Sequence, residues 1–131
     1  HARITVEDDP SYCDSSIPAC LSEFWVTKVL REDFGFEGLV LSDDIFMGAL
    51  ADNGFLSEDA AIRAIEAGVN IIMLSEKRFG SVAKILLKKA SESQEFNQKI
   101  QKSVQKNVEK SSCLADNPFL QAAFALLLRL Q

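Results

Sequence analysis

The sequence predicts an α/β chain with parallel strands, and three observations predict it. Short apolar runs begin near residues 2, 39 and 69, a spacing of about 30 residues that suits βα units. The runs at 39–41 (Leu-Val-Leu) and 69–74 lack apolar/polar alternation, as in parallel strands covered on both faces. Both follow a helical pattern closed by a glycine, Gly35 and Gly68. Glycine takes the left-handed helix-ending conformation without a Cβ penalty.

Residues 2–6 (Ala-Arg-Ile-Thr-Val) are β-prone, and a polar, proline-marked loop follows at 7–12. Phe24, Trp25, Val29 and Leu30 fall at helical spacing, which predicts a helix over 23–34 with Ser22 as N-cap and Glu23 in the first turn. Gly38 opens the strand at 39–41. Ser42, Asp43 and Asp44 sit at its carboxyl end, where function collects in parallel α/β sheets and barrels. Ser and Asp after a strand are also good N-caps, and a short helix is expected over 45–50. Spacing alone leaves the pair open between cap and catalyst.

Met47, Leu50 and Phe55 are placed to cover the next helix, and Asn53-Gly54 marks a turn. Ser57 is read as the cap of a helix over 58–67, with Glu58 and Asp59 in its first turn. Ala60, Ala64 and Ala67 allow close approach to a sheet. The strand at 69–74 ends on Ser75-Glu76. Glu76 is a weaker candidate by the same strand-end logic, against the simpler reading of a solvated loop glutamate. Val82, Ile85 and Leu86 predict a helix over 81–90. Phe96, Ile100, Val104 and Val108 predict another, lying outside with one buried seam. Its Lys99, Lys102, Lys106 and Lys110 read as a solvated face rather than a binding patch.

The chain has 131 residues, 47% hydrophobic and 25% charged, ordinary for one globular domain. A net charge of −5 argues against nucleic-acid binding driven by phosphate contacts. No apolar run reaches the ~18 residues of a membrane span. Cys13, Cys20 and Cys113 show no CxxC or Cys/His spacing, so reduced thiols are expected, and neither a metal site nor a disulfide framework. A cytoplasmic setting is favoured. No glycine-rich phosphate loop occurs, and no cofactor is expected.

Residues 29–44 resemble the active-site signature of glycoside hydrolase family 3. Val29, Leu30, Arg31, Asp33, Gly38, Leu39, Val40, Leu41, Ser42 and Asp43 fit it in order. Phe46 departs from the small or polar residue usual three positions after the aspartate. The form Ser-Asp-Asp-Ile-x-Met at 42–47 is closer to the bacterial β-N-acetylglucosaminidase branch than to the β-glucosidases. The resemblance covers roughly residues 1–110, through His1-Ala2-Arg3-Ile4 and Pro18-Ala19-Cys20-Leu21-Ser22 upstream and Gly68-Val69-Asn70 with Ile71-Ile72-Met73 downstream.

The resemblance implies a retaining glycosidase, in which a carboxylate attacks the anomeric carbon and a second group protonates the leaving oxygen. Asp43 takes the nucleophile's role. Asp44 is expected to point away and bond backbone or sugar hydroxyls. Met47 lines the substrate pocket by family analogy, against the simpler reading of a packed loop methionine. His1 is a substrate-binding candidate, against that of a frayed terminus. The branch's acid/base, a His–Asp pair, and its sugar-holding Lys-His motif would both fall upstream of residue 1.

A (β/α)8 barrel takes about 250 residues. The chain therefore resembles a partial (β/α)8 TIM barrel, about three parallel βα units (roughly strands 6 to 8) plus C-terminal helices. Residues 1–112 are the barrel portion, and 113–131 a helical tail without family match. Asn117 and Pro118 open that tail, whose apolar stretch at 119–130 can dock, bind a partner or arise from an altered reading frame.

Three strands cannot close a barrel. Open edges predict association with the rest of the barrel or with a second copy, and little turnover by the chain alone. The competing reading is a non-catalytic remnant or interaction module. A phospho-receiver domain ranks last: it needs five strands and a late strand-end lysine.

Overall fold

The computed structural model describes residues 16–115. His1, the run at 2–6 and the segment at 119–130 lie outside them. Helix α2 (Ser57–Ala67) is the element on which the others converge. Ala60, Ala61 and Ala64 are fully buried, and Ala67 nearly so. Side chains this small let neighbouring backbones come close, and the interior gains density without bulk. A 3₁₀ turn (Ala19–Leu21), a π-type helix (Phe24–Asp33) and the α-helices α1 (Gly48–Ala51), α3 (Glu76–Glu92) and α4 (Gln94–Ala115) all touch α2. Leu21, Val26, Leu50 and Val82 complete this core.

Strands β1 (Leu41–Asp44) and β2 (Ile71–Met73) pair in parallel. Ile45 and Val69 bury the sheet against the helices. The parallel reading of 39–74 holds, but coverage on both faces does not. Leu41 is 54% exposed and Met73 46%. The helices cover one face, and among the described residues nothing buries these two side chains on the other.

The strand boundaries also differ from the sequence reading. Regular pairing starts at Leu41, not at Leu39. Val40 N donates to Asn70 Oδ1 at 3.0 Å, while Val40 O accepts from Asn70 N at 2.8 Å and Ile71 N at 3.1 Å. A side chain thus stands in for a ladder partner at the strand's beginning.

The helix expected over 23–34 is present as Phe24–Asp33, with wider turns than expected: Phe34 N bonds Val29 O, five residues back, at 3.0 Å. Ser22 does not cap it by side chain. Its backbone is extended, Glu23 holds the cap position, and Ser22 O accepts from Val26 N. Ser57 is likewise the first residue of α2, with Leu56 at the cap position. Glu58 and Asp59 do fall in the first turn, where the helix dipole favours them.

Helix α3 begins at Glu76 rather than 81. Only the first part of the α4 seam is buried: Phe96 is 2% exposed, but Val104 is 57% and Val108 64%. Helix α4 continues to Ala115, across the 112/113 line.

Gly68 ends α2 with φ 103°, a conformation that side chains rarely adopt. A Cβ there would come within 2.6 Å of Thr27 Oγ1, the hydroxyl that donates to Ala67 O at 2.8 Å. Gly68→Ala should therefore strain the backbone and break that bond, costing about 2 kcal/mol. Thermal unfolding followed by circular dichroism reads this, and an unchanged midpoint would show that the Thr27 contact yields freely.

Candidate active site

The strand that carries the two aspartates is anchored at its start by polar side chains. Arg31, in the π-type helix, donates from Nη1 to Phe36 O at 3.2 Å and Gly38 O at 3.1 Å. Its Nη2 donates to Gly68 O at 3.4 Å and Asn70 Oδ1 at 2.6 Å. One guanidinium therefore joins the loop entering β1 to the loop entering β2. Burial pushes it below its ordinary pKa, but an arginine stays charged throughout. Asn70 extends the network to α4: its Nδ2 donates to Ser103 Oγ at 3.3 Å, and Asn107 Nδ2 donates to Asn70 O at 3.3 Å.

At the other end the pairing is irregular. Leu41 lies opposite Ile71 and Asp44 opposite Met73, so β1 takes one residue more than β2. Ser42 is buried beside this bulge. Its Oγ accepts from Met73 N at 2.9 Å and donates to Asp43 O at 2.7 Å. Asp43, the next residue, is exposed. Its Oδ1 accepts from Asp44 N at 2.8 Å, which fixes the carboxylate relative to the backbone.

Asp44 is half-buried and turns to the following loop, where its Oδ1 accepts from Phe46 N at 2.9 Å. Neither aspartate caps α1. The residue at that cap position is Met47, without a side-chain bond, and Asp44 O accepts from Met47 N in a turn. The helix expected over 45–50 shortens to Gly48–Ala51 for this reason.

Met47 is 42% exposed, just after the two aspartates. Phe46 carries the Arg78 guanidinium 5.1 Å above its ring. Cys20 is also near. Burial, chiefly, pushes its thiol up against the pull of a backbone hydrogen bond, and the charge of Asp43 acts with burial. Glu76 opens α3 directly after β2. His1 lies outside the described residues. Among them, no group of three His, Cys, Asp or Glu side chains could hold a metal ion, and no helix is long and apolar enough to cross a membrane.

An apolar groove of about 440 Å³ lies elsewhere, between Ile65, Ile72, Leu74, Phe79 and Val82. Neither Asp43 nor Asp44 lines it. Its one polar lining residue is Asn70, whose side chain is already engaged by Arg31, Val40 N and Ser103, which leaves the groove few groups to orient a ligand.

The whole arrangement is a carboxylate at the carboxyl end of a parallel strand. The family model for the glycosyl hydrolase family 3 N terminal domain matches residues 5–109. The chain belongs to that family.

The relatives of this family 3 chain are consistent with one another. A Photobacterium profundum protein named beta-hexosaminidase is 40% identical over 65 residues, 50% of this chain and 19% of that protein. One of the same name from Alkalilimnicola ehrlichii is 43% identical over 58 residues, 44% of this chain and 16% of its own length. CbsA from Thermotoga neapolitana superposes with a TM-score of 0.68 at 34% identity, covering 79% of this chain and 23% of CbsA. The beta-N-acetylglucosaminidase from Thermotoga maritima gives 0.65 at 36% identity, with 74% and 21% covered. This family 3 chain spans about a fifth of the length of the curated relatives it matches.

The Arg31–Asn70 network and the Ser42 bridge were not singled out from sequence. A signal for the first was present: Asn70 is a polar, β-poor residue at the start of an apolar strand. The bulge had none, because register is a property of two strands together.

Proposed function

We propose that this chain carries the nucleophile-bearing part of a retaining β-N-acetylglucosaminidase, corresponding to about the sixth to eighth strands of a (β/α)8 barrel. The observation that carries the proposal is the exposed Asp43 at the carboxyl end of β1, with its carboxylate tethered to the next backbone amide. Asp43 attacks the anomeric carbon of a terminal β-linked N-acetylglucosamine. The bond to the leaving oxygen breaks, and a glycosyl ester forms on Asp43. Water then hydrolyses the ester, and the sugar leaves with its original configuration. Asp44 and Met47, which follow Asp43 in the chain, are the sugar's flanking contacts in this reading.

The reaction needs a second group to protonate the leaving oxygen and then deprotonate water. No histidine occurs at 16–115. The family resemblance assigns the acid/base to another part of the barrel, so the chain alone should show little turnover. The exposed Leu41 and Met73 favour a second reading, an interaction module whose open sheet face is covered by a partner.

A mechanism-based 5-fluoro glycosyl reagent that keeps the 2-acetamido group separates the two readings, with intact-mass and peptide mapping as readout. Label on Asp43 is the expected result. It should form on the chain alone or once the upstream part of a relative's barrel is supplied. Failure to label in both settings removes Asp43 as nucleophile and leaves the interaction module.

A further inference from the structure

We propose that Ser42 is a positioning residue: its hydroxyl holds a one-residue bulge in β1 that aims the Asp43 carboxylate out of the sheet. The inference rests on the proposed role of Asp43, and it assigns the group that sets that carboxylate's direction.

The geometry is specific. From Leu41 to Asp44 β1 takes three steps, while β2 takes two from Ile71 to Met73. An extra residue must have its backbone groups satisfied locally, or the bulge relaxes into another register. Ser42 does this with a single atom. Its Oγ receives the Met73 N–H at 2.9 Å and gives its own proton to Asp43 O at 2.7 Å. The first bond ties the bulge to the neighbouring strand, and the second fixes the peptide plane that follows Asp43. That plane carries Asp44 N, which donates to Asp43 Oδ1 at 2.8 Å. The carboxylate is thus held through two linked hydrogen bonds that start at a side chain only 4% exposed. Bulges recur next to active sites because they re-aim a side chain. Ser42 touches no substrate in this arrangement; it acts through Asp43.

The test uses the full 131-residue chain with Ser42→Ala, Ser42→Thr and Ser42→Cys. Ser42→Cys keeps the volume with a much weaker donor and acceptor, and it carries the comparison if Ser42→Ala does not fold. Two readouts are independent of chemistry: hydrogen exchange of the Met73 amide and the carboxyl-carbon resonance of Asp43 by NMR. The third is the rate of Asp43 labelling by the 5-fluoro reagent, with the upstream part of the barrel supplied.

Loss of the hydroxyl should speed Met73 exchange and slow labelling, each on the order of tenfold, as expected for one broken, partly buried hydrogen bond. The Asp43 resonance should move, and Ser42→Thr should restore all three. Unchanged exchange and resonance in Ser42→Ala would overturn the proposal. So would altered resonances with normal labelling, or a failure of Ser42→Thr to rescue. A wild-type chain that never labels sinks the nucleophile reading instead. In that event the two NMR readouts still decide whether Ser42 holds the carboxylate.

Discussion

Asp43→Asn should reduce glycosidase turnover by at least ~10³-fold, the scale seen when a nucleophile is removed. The setting is this chain fused behind the upstream part of the Thermotoga maritima enzyme, with release of a chromogenic leaving group from a β-N-acetylglucosaminide as readout. The substitution is well suited to the question. A carboxamide has the shape of the carboxylate, and its oxygen can still accept from Asp44 N, the contact made at 2.8 Å. What it loses is the negative charge that attacks the anomeric carbon. Asp43 is exposed, so stability should change by no more than about 0.5 kcal/mol. Rate and stability therefore separate. Asp43→Ala adds a stereochemical check: azide should enter the vacated space and give a glycosyl azide of inverted configuration. Asp43→Asn with ordinary turnover would show that another group attacks.

The second large effect falls on folding. Arg31→Ala should destabilise the chain by about 2–3 kcal/mol, the range for losing hydrogen bonds made by a charged donor. Four acceptors lose the guanidinium together: the carbonyls of Phe36, Gly38 and Gly68, and Asn70 Oδ1. Part of the group faces solvent, so water offsets some of the loss, which keeps the figure below that of a fully buried charge. Arg31→Lys should recover little, because one ammonium cannot span acceptors in two loops. Urea denaturation of Arg31→Ala, Asn70→Ala and the double variant measures the coupling. Fully additive effects would show that the two side chains act separately.

Much of this architecture was legible in the residues. Gly35, Gly54 and Gly68 all take positive φ, at the helix and turn ends where the sequence places them. The alanines of α2 are buried as their size predicts. The parallel pairing of the runs after Gly38 and Gly68 also followed from their unbroken apolar character. What escaped was set by contacts distant in sequence. Leu39 and Val40 are strand-like residues, yet Asn70 claims the Val40 amide and delays the ladder to Leu41. The spacing of Phe24, Trp25, Val29 and Leu30 suits a wide helical turn as well as an α-turn, so hydrogen bonds to the fifth residue back were not visible in it. Val104 and Val108 repeat the spacing of Phe96, but no described element covers them. At the candidate site, the sequence pointed to Ser42 and the two aspartates together but not to the Ser42 bridge, which depends on the register of a partner strand.

The Arg31 clasp has a kinetic side. Its contacts to Gly68 and Asn70 close loops of 37 and 39 residues, and the Val40–Asn70 bond closes one of 30. Helices α2, α3 and α4 form from local contacts, whereas these bonds reward the chain only after long closures. Docking of the π-type helix across both strand entrances should then limit folding, and Arg31→Ala should refold more slowly in stopped-flow. On that order of events the backbone leading to Asp43 gains its direction late, so the site should be among the last parts to gain exchange protection.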